Sequence, residues 1–400
     1  MMKSGVPILI MPFFPVNGYR IFSMDATAAA QGDVILYKPV FIRRQIWALQ
    51  TLSIACLFVD CIIGVGICFG RAVNSPQAVV APYNAGAMTL HTRGRELLYA
   101  NGKVAVLHGV TMAAKPGTPN WTHIQQSLAV AIQTWHSQLI GLPLSQDAWF
   151  GKLPNSQHGG ASYRHTIDAL VRYCADHHVY IDLTLRWTDM GRWGKYMGRH
   201  RMPDGNSESF WRAAARRYKH YPNVLLGLFA SPYGVDWHTW LYGGVCTEET
   251  ASHVIAYRAV GMQELYNTVR AAGAENVVVV PGCRHGYDLF GVIHGFVVQG
   301  KNIMYETHIF PWMKHWRKAF ELAAAHVPVL VGGWGGGKHD LAFATRLLAV
   351  MHEEQLSWTA VYFGQGPPWP VLIRNWQYQP TTFGNMVKKQ LIATDRGSVK

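Results

Sequence analysis

The chain has 400 residues, of which 15% are charged and 12% aromatic, and Lys plus Arg outnumber Asp plus Glu by 36 to 23. This length allows one large domain with additional segments. The basic residues are spread along the chain, which disfavours a nucleic-acid-binding arm and instead indicates a basic surface that faces an anionic partner or an acidic medium.

The N-terminal segment, residues 1–45, mixes short apolar pieces with Pro, Gly and a small-residue run, and it shows neither a helical nor an alternating period. We expect a tail that packs on a partner, because such a segment cannot bury enough apolar surface by itself.

Residues 46–70 are predicted to form a transmembrane helix. The stretch from Ile46 to Phe69 has one charged side chain, Asp60, and as a helix it is long enough to cross a bilayer core of about 30 Å. A cleaved signal peptide would have a shorter apolar region nearer the N-terminus. A buried helix of a soluble protein is the other alternative.

The flanking charges predict the orientation of this helix. Lys38, Arg43 and Arg44 precede it, whereas only Arg71 follows before Arg93. By the positive-inside rule the tail is cytoplasmic, and the rest of the chain lies outside an inner membrane, in a periplasm or its equivalent. Asp60 then lies near the middle of the membrane, where a carboxylate is expected to face a protein partner.

After a linker, residues 71–89, the chain shows alternating apolar runs and helical patterns. Leu90 to Leu98 and Ala105 to Val110 indicate a short hairpin and a first strand, with a turn signal at Asn101-Gly102. The further predicted strands are 139–143, 179–185, 224–229, 277–281, 303–308, 329–332 and 357–363, and the predicted helices include 163–177, 252–272, 312–326 and 340–354. Eight strands with intervening helices predict an α/β fold, a (β/α)8 TIM barrel, over residues 90–395.

Several motifs of this region, in the same order, resemble glycoside hydrolase family 5, the cellulase-like retaining glycosidases. They are Asn101-Gly102-Lys103, Gly109-Val110-Thr111, the strand from Val224 to Phe229, the segment from Val329 to Gly335, and Pro370 to Trp376. The resemblance covers roughly residues 90 to 390.

The family implies two catalytic carboxylates, and both corresponding positions differ here. Its acid/base is the Glu of an Asn-Glu-Pro that ends the fourth strand, where this chain has Ala230-Ser231-Pro232. Its nucleophile is a Glu that ends the seventh strand, where this chain has Gly333. The resemblance therefore implies a catalytically degenerate domain that is not an enzyme.

The supporting positions differ as well. Gly141 stands for an Arg, Thr184 for a His and Phe310 for a Tyr, whereas His308 is retained. Relocated chemistry is the alternative: Asp147, Asp182, Asp236 and Glu306 lie near predicted strand ends, and Glu306 shares a strand face with His308. Ser231 with His308 would be a further nucleophile and base, without an orienting acid or a nucleophile elbow.

Aromatic residues at loop positions predict possible sugar-stacking sites, because apolar ring faces pack on sugars. The candidates are Trp149, Trp187, Trp237, Trp312 and Trp334. Family packing or a protein interface would explain them equally well. The spacing of the cysteines indicates no metal site, Cys174, Cys246 and Cys283 allow at most one disulfide, and no cofactor is expected.

These observations favour a non-catalytic pseudoglycosidase that acts as an accessory subunit of an integral-membrane complex through its transmembrane helix and tail. A tethered module that binds a polysaccharide such as a β-glucan is the second hypothesis. A hydrolase with relocated carboxylates is the third.

Overall fold

The computed structural model describes residues 88–153, 158–188, 199–249, 254–366 and 370–397. The predicted tail, the transmembrane segment with Asp60 and most of the predicted linker lie outside the described residues. Within the described ranges, no helix combines the length and the apolar character needed to cross a bilayer.

The strands and helices are numbered in chain order. The strands are β1 (Leu90–Arg93), β2 (Glu96–Tyr99), β3 (His108–Met112), β4 (Leu139–Ser145), β5 (Tyr180–Trp187), β6 (Val224–Gly227), β7 (Gly243–Glu249), β8 (Val254–Val260), β9 (Val278–Pro281), β10 (Ile303–Ile309), β11 (Val329–Trp334) and β12 (Ser357–Phe363). The helices are α1 (Pro119–Thr122), α2 (Ile124–Gln133), α3 (Gln146–Trp149), α4 (Ala161–Asp176), α5 (Gly205–Tyr218), α6 (Trp237–Tyr242), α7 (Met262–Ala271), α8 (Cys283–Gly286), α9 (Trp316–Ala324), α10 (Leu341–Glu353) and α11 (Thr382–Gly397).

Eight parallel strands close into a barrel in the order β3-β4-β5-β6-β9-β10-β11-β12. They are the strands predicted from the sequence, with ends that differ by a few residues, and the predicted (β/α)8 fold is confirmed. Their near-continuous apolar sequences are typical of strands that are buried on both faces. A short antiparallel hairpin, β1 and β2, precedes the barrel, as predicted.

The predicted helix 252–272 is wrong in its first half. There β7 and β8 pair as an antiparallel hairpin, from Gly243 opposite Val260 to Glu249 opposite Val254. The exposure of β8 alternates along the strand, which is the period of a half-buried strand and not of a helix. Helix α7 begins only after Gly261, where a Cβ would lie 2.4 Å from the carbonyl oxygen of Leu241.

The lower, N-terminal half of the barrel is filled by apolar side chains. Leu90 and Leu97 of the hairpin pack on inward residues such as Leu139, Tyr180 and Leu225 in one buried cluster. This packing fills the lower end of the barrel interior. Cys174, Cys246 and Cys283 are free and buried, so that the disulfide that the sequence allowed is absent.

The pairing of β3 with β4 leaves no room for a side chain at Gly109. A Cβ there would lie 1.6 Å from the carbonyl oxygen of Leu139, a backbone atom that cannot turn away. We predict that Gly109→Ala lowers the free energy of unfolding by about 3 kcal/mol in urea denaturation of the full chain. Gly205→Ala is the control, because a Cβ there meets no atom within 4 Å, and its effect should stay within about 0.5 kcal/mol. Equal stability of the two variants would contradict this packing.

Candidate functional site

A cavity of about 320 Å³ opens at the C-terminal ends of the barrel strands. This is the face at which (β/α)8 proteins place their binding and catalytic groups. Inward residues of β3, β4, β5, β10, β11 and β12 line the cavity, together with loops that follow β6 and β9.

The floor of the cavity is a buried hydroxyl network. The Oγ1 atoms of Thr111 and Thr359 lie 2.8 Å apart. When Thr359 donates to the carbonyl oxygen of Gly332 at 2.8 Å, Thr111 can donate to Thr359, and Oγ1 of Thr111 also lies 3.3 Å from the same carbonyl oxygen. These bonds satisfy polar groups that would be costly to bury alone.

Strand β5 presents Asp182, Thr184 and Arg186 to the cavity, from the floor to the mouth. The three residues share one face because successive side chains of a strand alternate. Thr184 donates its hydroxyl proton to Oδ2 of Asp182 at 2.8 Å. Among the described residues, Oδ1 of Asp182 has no hydrogen-bond partner.

Glycines on the neighbouring strands make the room for these polar side chains. A Cβ at Gly227 would lie 2.4 Å from Oγ1 of Thr184 and 2.9 Å from Oδ1 of Asp182. A Cβ at Gly332 would lie 1.8 Å from Oε1 of Glu306. The polar floor therefore depends on positions that have no side chain.

Asp182 and Glu306 bring two carboxyl groups to this floor, and both side chains are buried. Burial, followed by the negative charge of Glu306, raises the pKa of Asp182 to about 7. Asp182 thus holds a proton more tightly than an exposed carboxyl group does, because a second buried charge so close to Glu306 is unfavourable.

His308 connects the floor to the mouth. Its Nε2 lies 3.4 Å from Oε1 of Glu306, and its Nδ1 lies 3.2 Å from both Oγ of Ser231 and the carbonyl oxygen of His285. A carbonyl oxygen and a carboxylate can only accept hydrogen bonds, so a proton on Nδ1 would serve the contact with His285 and a proton on Nε2 the contact with Glu306.

The positions that correspond to the catalytic carboxylates in the resemblance, Ser231 and Gly333, lie on either side of the His308 ring. Ser231 follows β6, has a positive φ of 67° and contacts Nδ1. Gly333 pairs with His308 across β10 and β11, and a Cβ there would lie 3.0 Å from Cδ2 of the ring. The imidazole thus fills the space between the two positions.

The other positions singled out by the resemblance also line the cavity. Gly141 faces Thr111, because a Cβ at this glycine would lie 2.5 Å from Oγ1 of the threonine, and Thr184 binds Asp182. Ala230 is buried and donates its backbone N–H to the carbonyl oxygen of Leu185. Phe310 lies at the mouth, where its ring stacks on that of Trp312 with a centroid distance of 4.8 Å.

Of the five tryptophans predicted to stack on sugars, the structure brings Trp312 to the cavity. It is 58% exposed, so part of its ring surface faces solvent at the mouth. Trp187 and Trp237 are half-buried and do not line the cavity, since Trp237 packs on Trp240 and Phe296.

The prediction is wrong for Trp149 and Trp334, because neither ring reaches solvent. Trp149 packs edge-on against Phe210 and Tyr218. Trp334 is fully buried and packs against Trp358 and Phe383 on the outer side of the barrel wall. Trp334 ends β11, where a side chain can face either side of the barrel wall, whereas Trp149 ends the short helix α3; the sequence showed neither orientation.

Two of the carboxylates considered for relocated chemistry are outside the site. Asp147 is buried within α3, and Asp236 caps α6 by accepting the N–H of Thr239 at 2.7 Å. This hydrogen bond lowers the pKa of Asp236. Within the described ranges, no group of three or more His, Cys, Asp or Glu residues is arranged to hold a metal ion.

Sequence reasoning missed the basic residues of the mouth, Arg186, Arg199 and Arg284. Arg186 could have been found, because it continues the inward row of Asp182 and Thr184 at a spacing of two. The loop positions of Arg199 and Arg284 follow no such period, and they gave no signal.

Comparison with known proteins gives a family match and a structural match. The sequence model of the cellulase family, glycosyl hydrolase family 5, matches residues 98–365. The β-glucanase SdGluc5_26A from Saccharophagus degradans, solved with cellotetraose, is similar with a TM-score of 0.60 and 20% identity, over 76% of this chain and 93% of that chain. The catalytic domain of the Thermobifida fusca endoglucanase Cel5A is similar with a TM-score of 0.56 and 17% identity, over 78% of this chain and 99% of that one.

The raised pKa of Asp182 predicts a pH-dependent stability. The folded protein holds a proton that the unfolded chain releases above the ordinary pKa of 3.8, so this contribution is complete below that pH and is lost as the pH rises through about 7. Asp182→Asn removes it. From about pH 5 to about pH 8, the free energy of unfolding of the wild type should fall by about 2–3 kcal/mol relative to the variant in urea titrations.

Asp176→Asn, an exposed change on α4, is the control for this measurement. Other titrating groups are common to all three proteins and cancel in the difference. Parallel pH profiles of the wild type and Asp182→Asn would contradict the buried proton.

Proposed function

Because the chain belongs to glycosyl hydrolase family 5, the cellulase family, we propose that its barrel is a pseudoglycosidase that binds a glycan in the cavity without cleaving it. The observation on which this proposal depends is the identity of the residues at the two catalytic positions, Ser231 and Gly333, which lie on either side of the retained His308 ring. A retaining glycosidase needs two carboxyl groups about 5–5.5 Å apart on either side of the scissile bond. Neither a hydroxymethyl group nor a hydrogen atom provides one.

The hydrolase alternative would use Asp182 and Glu306, which line the same cavity. Their depth argues against it. Glu306 lies two residues before His308 on β10, and Asp182 lies two residues before Thr184 on β5, so each is roughly 6–7 Å further down the strand than the level of His308 and Thr184. Two carboxyl groups beneath a ligand cannot flank a bond in it.

The Ser231 alternative meets a different obstacle. A serine nucleophile needs a base that accepts its proton. Nδ1 of His308 lies 3.2 Å from both Oγ of Ser231 and the carbonyl oxygen of His285, and while it donates a proton to that carbonyl it cannot accept one from the serine.

Binding by the cavity has support of its own. The polar floor offers hydroxyl and carboxyl groups to sugar hydroxyls, and the stacked pair of Phe310 and Trp312 offers an exposed ring at the mouth. A β-glucan is the first ligand to test, because the β-glucanase of similar fold was solved with cellotetraose.

One prediction of the proposed function concerns turnover. The full-length protein should hydrolyse an aryl β-cellobioside no faster than buffer, measured by release of the phenol over several hours and across a range of pH. Turnover that disappears in Glu306→Gln or Asp182→Asn would overturn the non-catalytic proposal and assign the reaction to the relocated carboxylates.

Another prediction of the proposed function concerns binding. Trp312→Ala should weaken cellotetraose binding by roughly three- to tenfold in isothermal titration, since a stacking contact is worth about 0.5–1.5 kcal/mol. Tyr242→Ala is the matched control, because Tyr242 is 59% exposed, as Trp312 is at 58%, and does not line the cavity. No detectable binding at millimolar cellotetraose and other β-glucan oligosaccharides would end the glycan proposal.

A role as accessory subunit of an integral-membrane complex is the second candidate, and it rests on the sequence of residues 46–70 with Asp60. In this proposal the segment anchors the chain in the inner membrane, and the barrel lies on the extracytoplasmic side. Gentle solubilisation of native membranes followed by size-exclusion chromatography tests it. Elution as a monomer would contradict the proposal, and co-elution with an integral-membrane protein that is lost in Asp60→Leu would support it.

A further inference from the structure

We propose that the cavity selects an anionic sugar, a hexuronic acid unit of a glycan, whose carboxylate binds the arginines at the mouth while its hydroxyls face the floor. This inference rests on the proposed glycan-binding role and names the ligand class of the same site. The observation behind it is a separation of charge, with basic residues at the mouth and the two carboxyl groups beneath them.

Arg186 is the best-placed of the basic residues. Its guanidinium carbon lies 5.7 Å from the ring centre of Tyr362 and 5.8 Å from that of Trp187, so two aromatic rings hold it. Among the residues that the structure describes, no carboxylate forms a salt bridge with Arg186. A planar guanidinium held in this way retains its donors for a carboxylate, which it binds in a bidentate manner.

Arg199 is a second basic residue that lines the cavity. The guanidinium carbon of Arg199 lies 5.5 Å from the ring centre of Tyr233, on which the ring of His285 stacks at 4.7 Å. Burial, followed by the positive charges of Arg199 and His308, lowers the pKa of His285. The mouth is thus an electropositive region in which an anion would be stabilised.

The acidic groups near the mouth do not neutralise the charge of Arg186. Asp288 lies 3.6 Å from Nε of Arg284 and so acts on that residue. Glu306 faces Nε2 of His308 at 3.4 Å, and the raised pKa leaves Asp182 partly protonated near neutral pH. Arg186 is therefore the positive charge that a ligand carboxylate would meet first.

The experiment compares two tetrasaccharides that differ only in charge, cellotetraose and its C6-oxidised form, cellotetrauronic acid. We expect the full-length protein to bind the uronic acid at least tenfold more tightly at low salt, in isothermal titration. Arg186→Gln should remove most of this preference, measured as the ratio of the two affinities. Arg346→Gln, an equal change of charge on the exposed face of α10, should leave both affinities unchanged.

A second measurement needs no variant. Binding of the uronic acid should weaken as NaCl rises from low to physiological concentration, whereas binding of cellotetraose should not, because salt screens charge contacts at a solvent-exposed mouth. A thermal melt of each variant confirms that it is folded.

The outcomes separate this inference from the proposed function. Equal affinity for the two tetrasaccharides, or a preference that survives Arg186→Gln, overturns the anionic-sugar inference and leaves glycan binding in place. Absence of binding for both tetrasaccharides overturns both. A loss in Arg346→Gln as large as that in Arg186→Gln would show a general charge effect and overturn the proposed site.

Discussion

The arrangement of the barrel interior depends on close packing against glycine. Gly227 and Gly332 leave space that Thr184, Asp182 and Glu306 occupy, and any Cβ there would overlap those side chains. Below this level the interior is apolar and closed by Leu90 and Leu97 of the first hairpin. The change from an apolar lower half to a polar floor determines where a ligand can enter and how far it can descend. Two carboxyl groups can lie at this depth because Asp182 keeps a proton, which its burial and the negative charge of Glu306 make harder to lose.

His308 lies between this floor and the mouth, and it contacts residues on which both proposals depend. It faces Glu306 below and Ser231 at its side, and Gly333 leaves room for its ring. In the proposed function, the residues on either side of that ring, Ser231 and Gly333, lack the two carboxyl groups that a retaining glycosidase needs. The same ring reaches the mouth, where its Nδ1 lies 3.2 Å from the carbonyl oxygen of His285.

Much of the fold could be predicted from the sequence. The eight barrel strands are apolar runs bounded by turn signals, and several motifs occur in the same order as in a known family. The hairpin of β7 and β8 was missed because β8, followed directly by α7, was interpreted together with it as one helix, 252–272.

In the site, strand periodicity correctly placed Glu306 with His308, and it would have placed Arg186 had the row from Asp182 been extended. It could not place Trp334, since a residue at a strand end has two sides to face. Nor could it place Trp149, Arg199 and Arg284, which lie outside the barrel strands and whose positions depend on contacts distant in sequence.

The absence of both carboxyl groups has an evolutionary consequence. A Cβ at position 333 would begin 3.0 Å from Cδ2 of His308, a contact that a small shift of the ring would relieve. A carboxyl group restored at 231 or at 333 alone would still leave a retaining site without its second carboxyl group. If an ancestor of this chain cleaved glycans, regaining that ability would require both substitutions together, because neither alone would give selection any activity on which to act.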